Sequence, residues 1–168
     1  MQPISEQFQT PPFVARYMIS LIPDGVKTVL EPTPGQGNIV KELNGRYEVI
    51  APQDFFLWQA ERVDCVVMNP PFTDKEVVIE NAPREVKKLK GADIGYWLLY
   101  QMLDISDNVI ALVPWYAVIN SKKRVVEYMR YGLVSVTNLS RSVFKTRVQV
   151  CILQFCKGYE NKTEFRQL

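Results

Sequence analysis

The alternation of short, almost wholly apolar runs with segments of helical period is the feature that most limits how this chain can fold. Val26–Leu30, Tyr47–Ala51, Val63–Met68 and Val109–Val113 are too short for helices and carry few polar positions. Runs of that kind read as strands covered on both faces. Helical patterns stand between them. Thr10 is placed to cap a helix over 10–22, Pro11 suits its first turn, and Phe13, Val14, Tyr17, Met18, Leu21 and Ile22 form one stripe, ended by Pro23 and Gly25. Asn38–Leu43, the nearly apolar 94–103, and 121–131 with Val125, Val126 and Met129 facing inward, read as further helices. Leu133–Leu139 and Val148–Phe155 read as strands joined by a short basic turn. The pattern predicts a three-layer α/β fold with a Rossmann-like sheet, mostly parallel, with an antiparallel C-terminal strand.

At 168 residues and 47% hydrophobic content, the chain suits one packed domain spanning 1–168. It has no run of roughly 18 apolar residues, and its first residues lack the pattern of a secretory leader. A cytoplasmic protein with no membrane partner is expected. Cys65, Cys151 and Cys156 are odd in number and lack paired spacing, so they read as buried small hydrophobes. The chain contains no histidine, which removes Ser-His and Cys-His nucleophilic arrangements and the commonest metal ligand. No metal site is expected. A net charge of +2 permits a nucleic-acid partner without requiring one.

Ligands of open α/β sheets bind beyond the carboxyl ends of the strands, near the point where strand order reverses. Two unusual loops follow strands here. In Glu31-Pro32-Thr33-Pro34-Gly35-Gln36-Gly37 the glycines let backbone approach a ligand closely, and a carboxylate stands at the strand tip. That carboxylate repels phosphate and suits an ammonium group, so an amino-acid-bearing cofactor fits better than a dinucleotide. An ordinary turn that merely uses glycine accounts for a lone Gly-x-Gly equally well. The second loop, Asn69-Pro70-Pro71-Phe72, is sharper. The lone pair of adenine N6 is delocalised into the ring, so methylating it calls for acceptors that favour pyramidal geometry. The Asn69 side-chain carbonyl and the Pro70 backbone carbonyl supply two, and the prolines add no competing donor. Phe72 offers a stacking face, worth about 1–3 kcal/mol per base. A rigid turn with a core phenylalanine is the alternative, and the loop's position directly after a buried strand weighs against it.

With both loops in place, the chain resembles the class I S-adenosylmethionine-dependent amino-methyltransferases, specifically the adenine-N6 DNA methyltransferases. Phe8-Gln9-Thr10-Pro11-Pro12 looks like the family segment that closes over the methionine end of the cofactor. Glu31–Gly37 resembles its cofactor loop, and Asp54-Phe55-Phe56 resembles the Asp-Phe pair that meets the cofactor's adenine. Asn69-Pro70-Pro71-Phe72 matches the catalytic motif in full, while Pro114 and Val143-Phe144 look like later motifs around the base pocket. The resemblance implies S-adenosyl-L-methionine as cofactor, bound by Phe8, Thr10, Glu31, Pro32, Thr33, Gly35, Gly37, Asp54, Phe55 and Asn69. It implies catalysis by Asn69, Pro70, Pro71 and Phe72, on a flipped adenine held between Phe72 and Phe144. The activity implied is site-specific adenine methylation of DNA, of the restriction-modification kind.

The chain departs from that pattern in two places. Val49-Ile50-Ala51-Pro52-Gln53 reaches Asp54 almost at once, without the acidic residue that ends the family's second strand or room for its usual third. A target-recognition domain would follow the last motif, where about a dozen residues remain. Recognition is therefore expected from 73–92, from Lys122-Lys123-Arg124, from Arg141–Arg147, or from a specificity subunit or a second copy. The basic stretch Arg84–Lys90 reads equally as a solvated helix face and as a phosphate contact. DNA is expected as partner ahead of RNA. Rival readings are the same chemistry on RNA adenine or a protein glutamine amide, and a non-catalytic methyltransferase-like module that binds nucleic acid or a partner.

Overall fold

The computed structural model describes residues 9–59, 61–72, 80–144 and 148–168. In chain order the elements are α1 (Pro12–Ser20), β1 (Thr28–Leu30), α2 (Asn38–Leu43), β2 (Glu48–Ile50), β3 (Cys65–Met68), α3 (Asp93–Ile105), β4 (Asn108–Pro114), α4 (Tyr116–Ile119), α5 (Lys122–Arg130), β5 (Leu133–Asn138), β6 (Val150–Cys156) and β7 (Glu164–Gln167). The strands form one seven-stranded sheet in the order β2-β1-β3-β4-β6-β5-β7. Every neighbouring pair is parallel except those of β6, which runs against both β4 and β5. This is the predicted α/β sheet with its antiparallel strand.

Side chains alternate across the sheet and divide the core in two. Val66 and Met68 of β3 join Val109, Ala111 and Val113 of β4 beneath α3 and α5. Cys65 and Val67 join Ile110 and Leu112 on the other face, beneath α1 and α2. All four residues of β3 are buried, as the valine-rich run required. From β1 the sheet grows in opposite directions, to β2 on one side and β3 on the other. The loops after β1 and β3 therefore flank the point of reversal.

As the short link to Asp54 implied, the sheet has no strand between β2 and β3 among the described residues, where a 3-10 turn, Phe55–Leu57, stands instead. Other expectations need correction. β7 was not legible at all. Pro11, not Thr10, occupies the cap position of α1, and Phe13 is 46% exposed while Ala15 and Ile19 are buried. In α5, Val126 and Met129 are 40% and 57% exposed. Tyr128 takes the inward position, its ring edge-on to Phe155 at 5.5 Å. The large aromatic surface buries more than the aliphatic pair and sets the helix rotation. Cys65 and Cys151 are buried, but Cys156 is only partly so. No described helix is long and apolar enough to cross a membrane.

Candidate active site

The loop after β1 begins with Glu31, whose backbone N–H donates to Ile50 O at 2.9 Å and extends the β1–β2 pairing to the strand tip. Its side chain is 1% exposed. The Thr33 backbone N–H and hydroxyl both donate to Glu31 Oε1, at 3.0 and 3.3 Å. Burial outweighs those two donors and pushes the carboxyl up to about 8. Gly35 and Gly37 sit at φ 53° and 77°, in the left-handed region open to glycine. Gly37 also precedes the first residue of α2, so the loop turns directly into a helix.

The loop after β3 reaches the same place from the neighbouring strand. Asn69 Nδ2 donates to the Thr10 hydroxyl at 3.1 Å, and the Asn69 carbonyl accepts from the Thr33 hydroxyl at 3.3 Å. The Thr10 carbonyl accepts from Asn38 Nδ2 at 3.0 Å, and Gln36 N–H donates to Gln9 Oε1 at 3.1 Å. The structure thus brings together Thr10, Glu31, Thr33, Gly35 and Asn69. Pro32 and Pro70 are buried within the loops, and Pro71 is partly so.

Phe72 lies on the first turn of α3. A Cβ built on Gly95 would stand 2.6 Å from Pro71 O and 2.7 Å from the Phe72 ring, so only glycine admits this approach. Tyr96 meets Phe72 edge-on at 5.5 Å, and the Arg124 guanidinium lies 3.8 Å above the Tyr96 ring centroid. Gly95, Tyr96 and Asn38 were missed from the sequence, whereas Arg124 was expected there only as part of a basic recognition segment. A glycine inside an otherwise apolar helix was the one available signal.

The remaining candidates lie outside that hydrogen-bonded cluster. Asp54 caps the 3-10 turn, accepting from Phe56 N–H at 2.9 Å and from Asn81 Nδ2 at 2.8 Å. Phe55 packs beside it against Trp58 and Trp97. Phe144 is 6% exposed and belongs to the core beneath α1 and α2, whereas Phe72 packs on the opposite face. The structure does not bring those two rings together. Phe8 lies outside the described residues.

No family model matches the chain, and no curated protein matches it by sequence. Solved structures match it in shape. A Listeria monocytogenes protein assigned to the class I S-adenosylmethionine-dependent methyltransferases superposes with a TM-score of 0.68 at 17% identity, over 99% of this chain and 68% of that one. The methyltransferase subunit of a type I restriction-modification system from Streptococcus thermophilus also gives 0.68, at 15% identity, over 96% of this chain and 47% of the subunit. A Pyrococcus horikoshii protein assigned as an RNA methyltransferase gives 0.50 at 19% identity, over 90% and 88%. The chain spans under half the length of the streptococcal subunit. At these identities the likeness is one of fold: the chain has the Rossmann-like fold of the class I methyltransferases.

Proposed function

We propose that this protein is an S-adenosylmethionine-dependent methyltransferase that acts on the exocyclic N6 of adenine in DNA. The observation that carries the reading is the meeting of the Glu31 and Asn69 loops at the reversal of strand order, joined through Thr33 and Thr10. The residues present fit the cofactor. Glu31 is a buried carboxylate paired with no cationic side chain among the described residues, and its high pKa marks a site that an ammonium group would complete. A Cβ on Gly37 would meet nothing within 4 Å, so the loop faces open space. Thr33, Gly35 and Gly37 are assigned to the amino-acid end, and Asp54 and Phe55 to the adenine.

When bound, the cofactor supplies a methyl group on an electrophilic sulfonium. Asn69 Oδ1 and the Pro70 carbonyl are assigned as acceptors of the two N6 hydrogens, drawing the nitrogen lone pair out of the ring. Phe72 is assigned as the face on which the base rests. With no nucleophile or histidine required, the acceleration rests on holding nitrogen and methyl in register. Target recognition is assigned to a specificity subunit or a second copy.

Calorimetric titration with S-adenosylmethionine, followed by transfer of labelled methyl to DNA, RNA and protein, tests the reading. Asn69→Ala is expected to lower single-turnover transfer on the order of 100-fold, the scale for removing one positioned group that bonds the transition state, with little change in cofactor affinity. Near-wild-type turnover in that variant overturns the catalytic assignment. Label entering RNA or protein alone moves the substrate there.

A further inference from the structure

Arg124 is half-buried and forms no ion pair with a carboxylate among the described residues. Its guanidinium carbon lies over the Tyr96 ring, 3.8 Å from the centroid, and Nη1 donates to Ala117 O at 3.2 Å. Among the described residues the ion pairs involve other cations. Glu127, one turn further along α5, is taken by the Tyr100 hydroxyl at 2.7 Å and by Lys123 at 3.9 Å. The positive field of Arg124 reaches Tyr96, Tyr100, Tyr116 and Tyr128, in each case opposing the burial that raises the phenol. A planar fork of five donors thus rests on Tyr96, with one donor used on the protein among the described residues.

The pair abuts the candidate catalytic loop, since Tyr96, which carries Arg124 over its ring, also meets Phe72 edge-on. Tyr116 opens α4 just beyond the carboxyl end of β4, and the exposed Lys122 and Lys123 add charge of the same sign. A guanidinium so placed suits an oxyanion with two free oxygens, and its fork matches phosphate better than a point charge does.

We infer that Arg124 is a phosphodiester site, which takes a backbone phosphate of the substrate strand beside the target nucleotide. This rests on the methyltransferase reading and deepens it. Through Tyr96 the engaged phosphate also fixes the Phe72 ring, so Arg124 acts as a positioning residue as well as an anchor.

The test follows binding of a labelled 20-base-pair DNA duplex, and of an RNA duplex of equal sequence, by anisotropy across salt concentrations. Wild type is compared with Arg124→Gln and Arg124→Lys, and cofactor affinity is measured in each. Loss of one phosphate contact flattens the slope of log affinity against log salt by about 0.9, so Arg124→Gln loses about 3-fold less affinity than wild type between 50 and 200 mM. Arg124→Lys, the milder change if the glutamine variant fails to fold, keeps the slope but binds more weakly and turns over more slowly, since it cannot stack on Tyr96. Whichever duplex shows the slope change identifies the source of the phosphate. An unchanged slope in Arg124→Gln, or a lysine variant equal to wild type in both affinity and turnover, overturns the site and leaves the methyltransferase reading standing. Loss of cofactor affinity in Arg124→Gln overturns it in favour of a cofactor carboxylate. A wild-type protein that binds neither duplex overturns both the site and the nucleic-acid substrate.

Discussion

The side-chain amide of Asn69 donates to the hydroxyl of Thr10 at 3.1 Å across 59 residues of chain. An amide whose nitrogen is held this way has its oxygen edge fixed as well, because the two lie on one plane. Thr10 is 3% exposed, so no bulk water substitutes for it freely. Thr33 donates to Glu31 through its backbone N–H and to the Asn69 backbone carbonyl through its hydroxyl, which makes the two loops one hydrogen-bonded unit.

Thr10→Val is close in shape and removes the acceptor. The stranded amide donor costs about 1–3 kcal/mol of stability. Under saturating cofactor, single-turnover methyl transfer is expected to fall more than about tenfold, with Thr10→Ser restoring most of it. If both variants lose cofactor affinity and keep turnover once saturated, Thr10 serves the cofactor and not Asn69.

Glu31 gives a pH signature with a defined sign. Its carboxyl ionises near 4.5 in the unfolded chain and near 8 in the folded one. Between those values the folded state keeps a proton that the unfolded state releases, so the contribution to stability is full below about 4.5 and lost as pH rises through 8. Glu31→Gln cannot ionise. Its melting temperature is expected to exceed that of wild type at pH 9 and to match it at pH 5. An ammonium-bearing cofactor meets the ionised form, so affinity should climb as pH approaches 8 and binding should release a proton. Titration in two buffers of different ionisation enthalpy reads that proton directly, and equal heats would refute the assignment.

Gly95→Ala places a methyl against Pro71 O and the Phe72 ring, at 2.6 and 2.7 Å before relaxation. Both neighbours belong to the catalytic loop, one of them backbone, so the loop itself must shift. A loss of about 1–3 kcal/mol is expected from overpacking, seen in chemical denaturation. Turnover should fall with it while cofactor affinity holds. Wild-type turnover in this variant would show that the position of Phe72 is unimportant.

The two loop glycines are expected to differ. At Gly37 an added Cβ meets nothing, so Gly37→Ala costs only the left-handed backbone, about 1 kcal/mol. At Gly35 the Cβ lies 3.1 Å from Gln9 Oε1, so Gly35→Leu also displaces the Gln9 side chain and the bond it accepts from Gln36 N–H. Gly37→Leu should abolish cofactor binding with the fold retained, as judged by circular dichroism. Gly35→Leu should abolish binding with a larger fall in melting temperature. Retained binding in both places the cofactor elsewhere.

What could be read from the residues followed from local pattern. The Val-rich runs gave the strands β1 to β6, and both glycines of the first loop proved left-handed. Asn69 and Glu31 were singled out because their chemistry is rare at a strand tip. What could not be read depends on contact across the chain. Thr10 looked like a helix cap, since a threonine before prolines does so locally, and its bond to Asn69 exists only in the fold. Arg124 was legible only as one of three cations in a candidate recognition segment, and its seat over Tyr96 exists only in the fold. β7, with Phe165 73% exposed, carries no buried face to betray it.

The position of β6 bears on how the molecule is made. β4, buried along six of its seven residues, keeps a bare edge until β6 slides between it and β5. On a ribosome that edge stays open until residues 150–156 have emerged, long after β4 itself. A nascent chain stalled in α5 or β5 therefore exposes an unpaired, hydrophobic strand edge, the usual starting point for aggregation. Synthesis slowed before that point should yield inclusion bodies, and synthesis slowed after it should not.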